Sequence, residues 1–265
     1  MPQPIALGRA SRSGAGVNPI IAEIERSGET ELPSGARVPI HSHVGSTAGR
    51  LIARAVEAAA PRVACEVGLA FGMSTLYILE AMQECGEGRL IGMDPAQHDG
   101  TWSGAGLHNV RRAGFADRFE FYEEPSHVVL PRLLAASTRL QFALIDGWHT
   151  FDHTLVDFFF IDKMLDPGGV IVIDDVSWPA IRRLCDFIVT NRNYSILDVD
   201  PIASRRSGRV AIKRLARQLL HPLVRTDSTP GSRAIALEKP LGRAQLISLR
   251  KETNDARPFD HFVAF

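Results

Sequence analysis

From Arg62 to Arg192 the chain alternates short apolar runs with longer stretches whose apolar residues recur every three to four positions, and few folds accommodate that rhythm. The short runs Arg62–Val67, Arg89–Asp94, Phe119–Glu123, Leu140–Asp146 and Gly169–Asp175 read as strands. Ser74–Glu84, Leu107–Gly114, Pro125–Ala136, Phe151–Leu165 and Pro179–Arg192 read as the intervening and following helices. Strands separated by helices pair parallel through right-handed crossovers. The expected fold class is therefore α/β, a doubly wound, mostly parallel sheet with helices on both faces. Upstream, Gly45–Ala60 puts Leu51, Ile52, Ala55, Val56 and Ala59 on one helical face, and Pro61 stops that helix. After Tyr194–Val199 the pattern changes; Arg233–Glu238 and Ala244–Arg250 read as strands that can close the C-terminal edge of the sheet antiparallel.

The 265 residues suit one such domain over 19–265, preceded by a loose Gly-, Ser-, Pro- and Arg-containing tail at 1–18 and interrupted by a basic insertion at about 203–232. Thirty basic residues balance thirty acidic ones, which argues against a nucleic-acid partner. Cys65, Cys85 and Cys185 show no metal spacing and read as reduced thiols. With no apolar run of membrane-spanning length and no signal-peptide core, the expected compartment is the cytoplasm. A homo-oligomer stays open. Ala203–Arg225 carries seven Arg or Lys and no acid, with Val210, Ile212, Leu215, Leu219 and Leu223 interleaved. It reads as a solvated basic face, a lid over an anionic substrate, or a membrane-surface contact.

In open α/β sheets ligands sit beyond the C-terminal ends of the strands. Chemistry should gather at Glu66–Ser74, Asp94, Glu124–His127, Asp146–His149 and Asp174–Ser177. Gly68 allows a tight turn and a close ligand, while Gly72 and Ser74 open the next helix, with Ser74 placed to cap it. The spacing is G-x-x-x-G rather than the G-x-G-x-x-G of dinucleotide folds, which disfavours a dinucleotide-dependent oxidoreductase. Glu66, just before the first glycine, suits a ligand with a cationic amine and sulfonium better than a pyrophosphate. Asp94 ends the second strand, where a carboxylate can accept both hydroxyls of a ribose or simply form a turn with Pro95.

Val44-Gly45…Gly49, Glu66-Val67-Gly68…Gly72-Met73-Ser74, Asp94, Glu124-Pro125-Ser126-His127, Asp146-Gly147-Trp148-His149 and Asp174-Asp175 stand in one order over about half the chain. In that order the chain resembles class I S-adenosylmethionine (SAM)-dependent methyltransferases of Rossmann-like fold. The closest types are the metal-dependent catechol and caffeoyl-CoA O-methyltransferases and the sugar O-methyltransferases of antibiotic pathways. The resemblance implies that Glu66, Gly68, Ala70, Gly72, Ser74, Asp94 and Asp146 hold the methionine and ribose parts of SAM. It further implies that Ser126 and His127 flank the adenine and that Val44 closes over the cofactor.

Asp146 and Asp174-Asp175 end successive strands, and neighbouring strands lie about 4.8 Å apart, so Asp146, Asp174 and Asp175 can converge on one cation. Oxygen ligands of this kind suit Mg²⁺, with Mn²⁺ an alternative. Capping of the following helix by Asp175 is the competing reading. Catechol-type enzymes commonly carry Asn at the second position of the pair, where this chain has Asp175, as sugar-modifying relatives also do. His149 stands where the catechol type has a catalytic lysine, and is the candidate general base; helix capping or pairing with Asp152 is its alternative. Trp148 reads as a wall of the acceptor pocket or as a packed aromatic. His41-Ser42-His43 reads as an ordinary loop, and Phe158-Phe159-Phe160 as core.

The expected function is metal-assisted O-methylation of a hydroxyl on a small-molecule acceptor, a sugar or vicinal diol. The alternatives are a metal-independent methyltransferase acting on another acceptor and a non-catalytic cofactor-binding relative.

Overall fold

The computed structural model describes residues 17–86, 88–201 and 244–265. Helix α1 (Pro19–Ser27) is capped by Asn18, whose side chain accepts from the Ile20 N–H. A small hairpin follows, of β1 (Glu29–Glu31) and β2 (Arg37–Pro39). The sheet is then built from α2 (Ser46–Ala59), β3 (Val63–Val67), α3 (Met73–Cys85), β4 (Arg89–Met93), α4 (Ala105–Arg112), β5 (Phe119–Tyr122), α5 (Ser126–Ala135), β6 (Leu140–Ile145), α6 (Phe151–Met164), β7 (Leu165–Ile173), α7 (Pro179–Asn191), β8 (Tyr194–Pro201) and β9 (Ala244–Lys251). The seven strands lie in the order β5-β4-β3-β6-β7-β9-β8, parallel from β5 to β7 and antiparallel at β9 and β8. This is the doubly wound α/β architecture that the alternation predicts.

Side chains alternate across each strand, and the two resulting cores show it. Cys65, Val67, Ile91, Met93, Ala143, Ile145, Ile171 and Ile173 pack with α5, α6 and α7 residues such as Val129, Phe158 and Leu184. Ala64, Leu90, Phe142, Leu144, Val170 and Val172 pack on the opposite face with Ile21, Leu51, Leu76 and Val110 from α1 to α4. By this alternation Glu66 falls on the α2–α3 face.

The C-terminal edge is antiparallel as expected, with β9 inserted between β7 and β8 and β8 outermost. Two local expectations are revised. Helix α3 starts from Gly72, in a left-handed conformation (φ 80°) and without a side-chain cap, so Ser74 does not cap it. Of the three consecutive phenylalanines only Phe158 is fully buried, while Phe159 is 45% exposed. Helical neighbours are about 100° apart around the axis, so three in a row cannot all face one core. Arg233–Glu238, the basic stretch from Ala203 to Arg225 and residues 1–16 of the expected tail lie outside the described residues. Among the described residues no helix is long and apolar enough to cross a membrane. All three cysteines are free, Cys65 and Cys185 buried and Cys85 exposed.

Candidate active site

The parallel register aligns the strand ends: Val67 pairs with Met93 and Ile145, and Ile145 with Ile173. Each following residue extends the ladder by one bond. The N–H of Asp94 donates to Tyr122 O, that of Asp146 to Val67 O, and that of Asp174 to Ile145 O, at 3.1, 3.0 and 3.2 Å. Gly68, Asp94, Asp146 and Asp174 are thereby brought to one rim although they span more than a hundred residues.

The loop from β3 to α3 is held from behind. Gly68 has φ 91°, and a Cβ there would lie 2.0 Å from Asp146 O, so glycine is required on both counts. Ala70 adopts a left-handed φ of 47°, uncommon for a residue with a Cβ. It is fixed on both sides: its N–H donates to Asp94 Oδ2 at 2.9 Å, and its carbonyl accepts from Gln97 Nε2 at 2.9 Å. The Leu69 N–H also donates to Asp94 Oδ2, and the Ala96 N–H donates to Asp94 Oδ1. Asp94 thus closes the loop in addition to standing at the rim. Gln97 is fully buried, a role that sequence reasoning misses because its place three residues after Asp94 carries no signal by itself.

Glu66 lies beneath this loop rather than at its surface. It is fully buried, and its two oxygens accept from the hydroxyls of Ser74 (2.5 Å) and Thr75 (2.6 Å). Burial pushes its carboxyl up to about 7 despite those two bonds. Ser74, Gly68, Ala70 and Gly72 line a narrow cleft of about 30 Å³ together with Val44 and Asp146. The Ser42–Val44 segment lies over it, and His41 packs against Phe71 and Trp102 at ring-centroid distances of 5.1 and 5.7 Å. His41-Ser42-His43 is thus a loop.

Ser126 and His127 open α5. The Ser126 side chain hydrogen-bonds Asp157, a buried acid of α6 whose carboxyl burial pushes up to about 6 and whose Oδ1 has no partner. Asp157 escapes sequence reasoning because it is one of six polar residues of α6, with Asp152, His153, Thr154, Asp162 and Lys163, and no local pattern sets it apart.

On the far side of Asp146 a second constellation forms. One donor atom each from Asp146, His149 and Asp175 lies within 4.8 Å of the others. His149 Nε2 is 3.4 Å from Asp175 Oδ2. Asp174 joins less directly: its Oδ1 accepts from the Asp175 N–H at 2.7 Å and from Gln245 Nε2 at 2.9 Å. The same amide donates to Asp175 Oδ1 at 2.6 Å, so Gln245 of β9 holds both carboxylates. Asp175 is left-handed (φ 53°), a conformation Asn and Asp tolerate best among residues with a Cβ, which accounts for those two residue types at this position. Its N–H bonds the neighbouring carboxylate, and no helix-capping bond is made by its side chain; the cap of α7 is Trp178. Burial and the neighbouring carboxylates raise Asp146 well above its ordinary value, and burial chiefly raises Asp174 to about 6. No Lys or Arg among the described residues forms an ion pair with these groups. Trp148 is 69% exposed and Trp178 51%, the latter ring 5.2 Å from His149. Neither indole is a packed core residue.

Residues 65–176 match the family described as "Methyltransferase domain". The chain is similar to that domain over 112 of its 265 residues. It is 28% identical over 156 residues to a "Transmembrane O-methyltransferase homolog" of Mus musculus and, equally, to that of Rattus norvegicus. The aligned stretch is 58% of this chain and spans 58% of each relative. Among solved structures, an O-methyltransferase from Bacillus cereus in complex with SAH superposes with a TM-score of 0.57 at 16% identity, covering 80% of this chain and 84% of that one. The O-methyltransferase TomG of Streptomyces achromogenes, involved in tomaymycin synthesis and solved with SAM, gives 0.55 at 15%, covering 80% and 82%. These likenesses are of fold, the class I methyltransferase fold. The matched stretch spans the glycine loop, Asp94, the Asp146–His149 turn and the Asp174–Asp175 pair.

Proposed function

We propose that the chain transfers a methyl group from SAM to a hydroxyl of a small-molecule acceptor, assisted by a divalent cation, Mg²⁺ or Mn²⁺. One observation carries this reading: Asp146 lines the glycine-loop cleft and also belongs to the cluster with His149 and Asp175. A methyl donor in the cleft and an acceptor oxygen at the cluster would face each other across one residue, and methyl transfer is largely a matter of such positioning.

For SAM, the uncapped N-terminus of α3 offers backbone N–H groups to the carboxylate of the methionine part. Asp94 Oδ2 is taken up by the Leu69 and Ala70 N–H groups and Gln97, while Oδ1 accepts from the Ala96 N–H alone and has a lone pair left for a ribose hydroxyl. Ser126 and His127 would flank the adenine. Glu66 supports the loop through Ser74 and Thr75 and acts on the cofactor indirectly. A cleft of about 30 Å³ holds roughly one water, so the Ser42–Val44 segment must give way for a nucleoside to bind.

The donor set fits a hard cation. Carboxylates crowded at one place, desolvated and, among the described residues, without an ion pair to Lys or Arg, suit a cation that would offset their repulsion. Asp146, Asp174 and Asp175 would hold the ion, with Gln245 orienting the last two. When bound, a divalent cation lowers the pKa of a coordinated hydroxyl. His149 accepts the acceptor's proton as the oxygen takes the methyl from sulfur, leaving S-adenosylhomocysteine (SAH), a methyl ether and an imidazolium beside Asp175. Trp148 and Trp178 offer exposed aromatic faces to the body of a sugar or a vicinal diol.

The test is SAH release from SAM with a panel of catechols and sugar diols, with Mg²⁺ and with EDTA. Acceptor-dependent, EDTA-sensitive turnover is expected. Turnover unaffected by EDTA would replace this reading with metal-independent transfer.

A further inference from the structure

Ser126 and His127 form the first turn of α5, and Gly147 and Trp148 lie in the turn between β6 and α6. His153 of α6 links the two places: its ring centre is 6.3 Å from that of His127 and 6.3 Å from that of Trp148. Gly147 has no room for a side chain, since a Cβ there would lie 2.7 Å from Val67 Cγ1. The turn therefore presents bare backbone next to the exposed ring of Trp148.

Asp157 lies beneath this turn, 1% exposed, with its Oδ2 at 3.7 Å from the position of a Gly147 Cβ. Burial pushes its carboxyl up only to about 6, so it is ionised at neutral pH, and an ionised carboxylate can only accept. The hydrogen bond between Ser126 and Asp157 therefore takes the hydroxyl proton of Ser126 inward. Ser126 itself is half-buried, so a ligand can reach its oxygen while its one proton is committed. What Ser126 offers outward is lone pairs.

We propose that Asp157 sets the choice of nucleobase: by holding the Ser126 proton it makes that hydroxyl an acceptor toward the base of the cofactor, favouring adenine, with its exocyclic amine, over hypoxanthine, with an oxygen in the same place. This rests on the SAM reading of the cleft, with Ser126 and His127 beside the adenine. An amine meets a lone pair of Ser126, whereas an oxygen sets two acceptors against each other with no proton between them. Asp157 is a positioning residue here; the contact to the base is made by Ser126.

Calorimetric titration of the full chain with SAH and with S-inosylhomocysteine, the same molecule carrying hypoxanthine, tests this. SAH is expected to bind at least about tenfold more tightly, the effect of one hydrogen bond made or lost. Ser126→Ala, at a half-buried helix start, keeps the fold and should bring the two affinities close together. Asp157→Asn removes a desolvated charge while keeping the shape, and its amide can donate to Ser126, which frees the hydroxyl proton to turn outward. It should narrow the ratio as well, and added to Ser126→Ala it should change the ratio no further. A purely structural Asp157 would weaken both ligands alike and leave the ratio intact in Asp157→Asn. That result, equal binding of the two ligands by the parent chain, or a ratio unchanged in Ser126→Ala would overturn the proposal and leave the SAM reading standing. Absence of SAH binding would overturn both.

Discussion

His149 Nε2 lies 3.4 Å from Asp175 Oδ2, which places an imidazole against a carboxylate at the edge of the acidic cluster. The carboxylate orients the ring and stabilises the imidazolium that forms when a proton is taken up. His149→Gln is therefore expected to lower kcat by about 10²–10⁴-fold, the usual contribution of a general base, and to spare SAM affinity. The ascending limb of the pH–rate profile should move or vanish in the variant. A variant retaining both the rate and the limb would make His149 structural.

The left-handed backbone at Asp175 separates two substitutions that otherwise look alike. Asp175→Asn keeps an oxygen ligand and a side chain that tolerates the conformation, so most Mg²⁺-dependent activity should persist. Asp175→Ala loses the ligand and adds backbone strain; a drop of at least about 100-fold in metal affinity is expected, on the scale seen when even indirect metal contacts are lost. Metal titration followed by activity and by direct Mn²⁺ binding compares the two. Equal loss in both variants would show that the charge, rather than the oxygen ligand, is what matters.

Glu66 gives a pH dependence of stability with a definite sign. Its carboxyl ordinarily ionises near 4.5, and burial raises it to about 7 in the folded chain. Below 4.5 both folded and unfolded forms are protonated and this residue favours folding fully. As pH climbs to about 7 the unfolded chain releases its proton first, so stability falls by a few kcal/mol, at about 1.4 kcal/mol for each tenfold difference in proton affinity between the two forms. Glu66→Gln should flatten that fall while still bonding Ser74 and Thr75. Denaturant unfolding from pH 4.5 to 8 measures it; parallel curves for the two proteins would contradict the assignment.

Gly68→Ala should be severely destabilising. The added methyl meets Asp146 O at 2.0 Å, a backbone atom that cannot swing aside, at a φ of 91°. A loss of at least about 2 kcal/mol is expected, at the upper end for single substitutions, together with loss of SAM binding. Gly28→Ala, at a similar φ with open space around it, serves as the comparison and should cost less.

The central sheet was legible because its strands and helices have different periods, and each acid at the rim directly follows an apolar run, as Asp94, Asp146 and Asp174 do. What escaped was non-local or lay on short elements. The insertion of β9 between β7 and β8 depends on pairing across a long stretch of sequence, and with it came Gln245, which no local pattern connects to Asp174 and Asp175. The strands of the β1–β2 hairpin are too short to show a period, whereas α1 is short but carries readable signals, an Asn18 cap, Pro19 at its start and an apolar face with Ile21 and Ile24. The burial of Glu66 could have been read from strand alternation, since it shares a face with Ala64, which packs against α2 and α3. The third member of the His149–Asp175 cluster, Asp146, was legible; the sharing of Gln245's amide between Asp174 and Asp175 was not.

The most direct measurement of the central claim is calorimetric titration of the chain with SAM, SAH and NAD. The glycine-loop cleft bounded by Asp146 predicts saturable binding of SAM and SAH and none comparable for NAD, with Asp94→Ala weakening the first two through the ribose and the Leu69–Ala70 turn. Preference for NAD, or no binding of SAM and SAH, would contradict it.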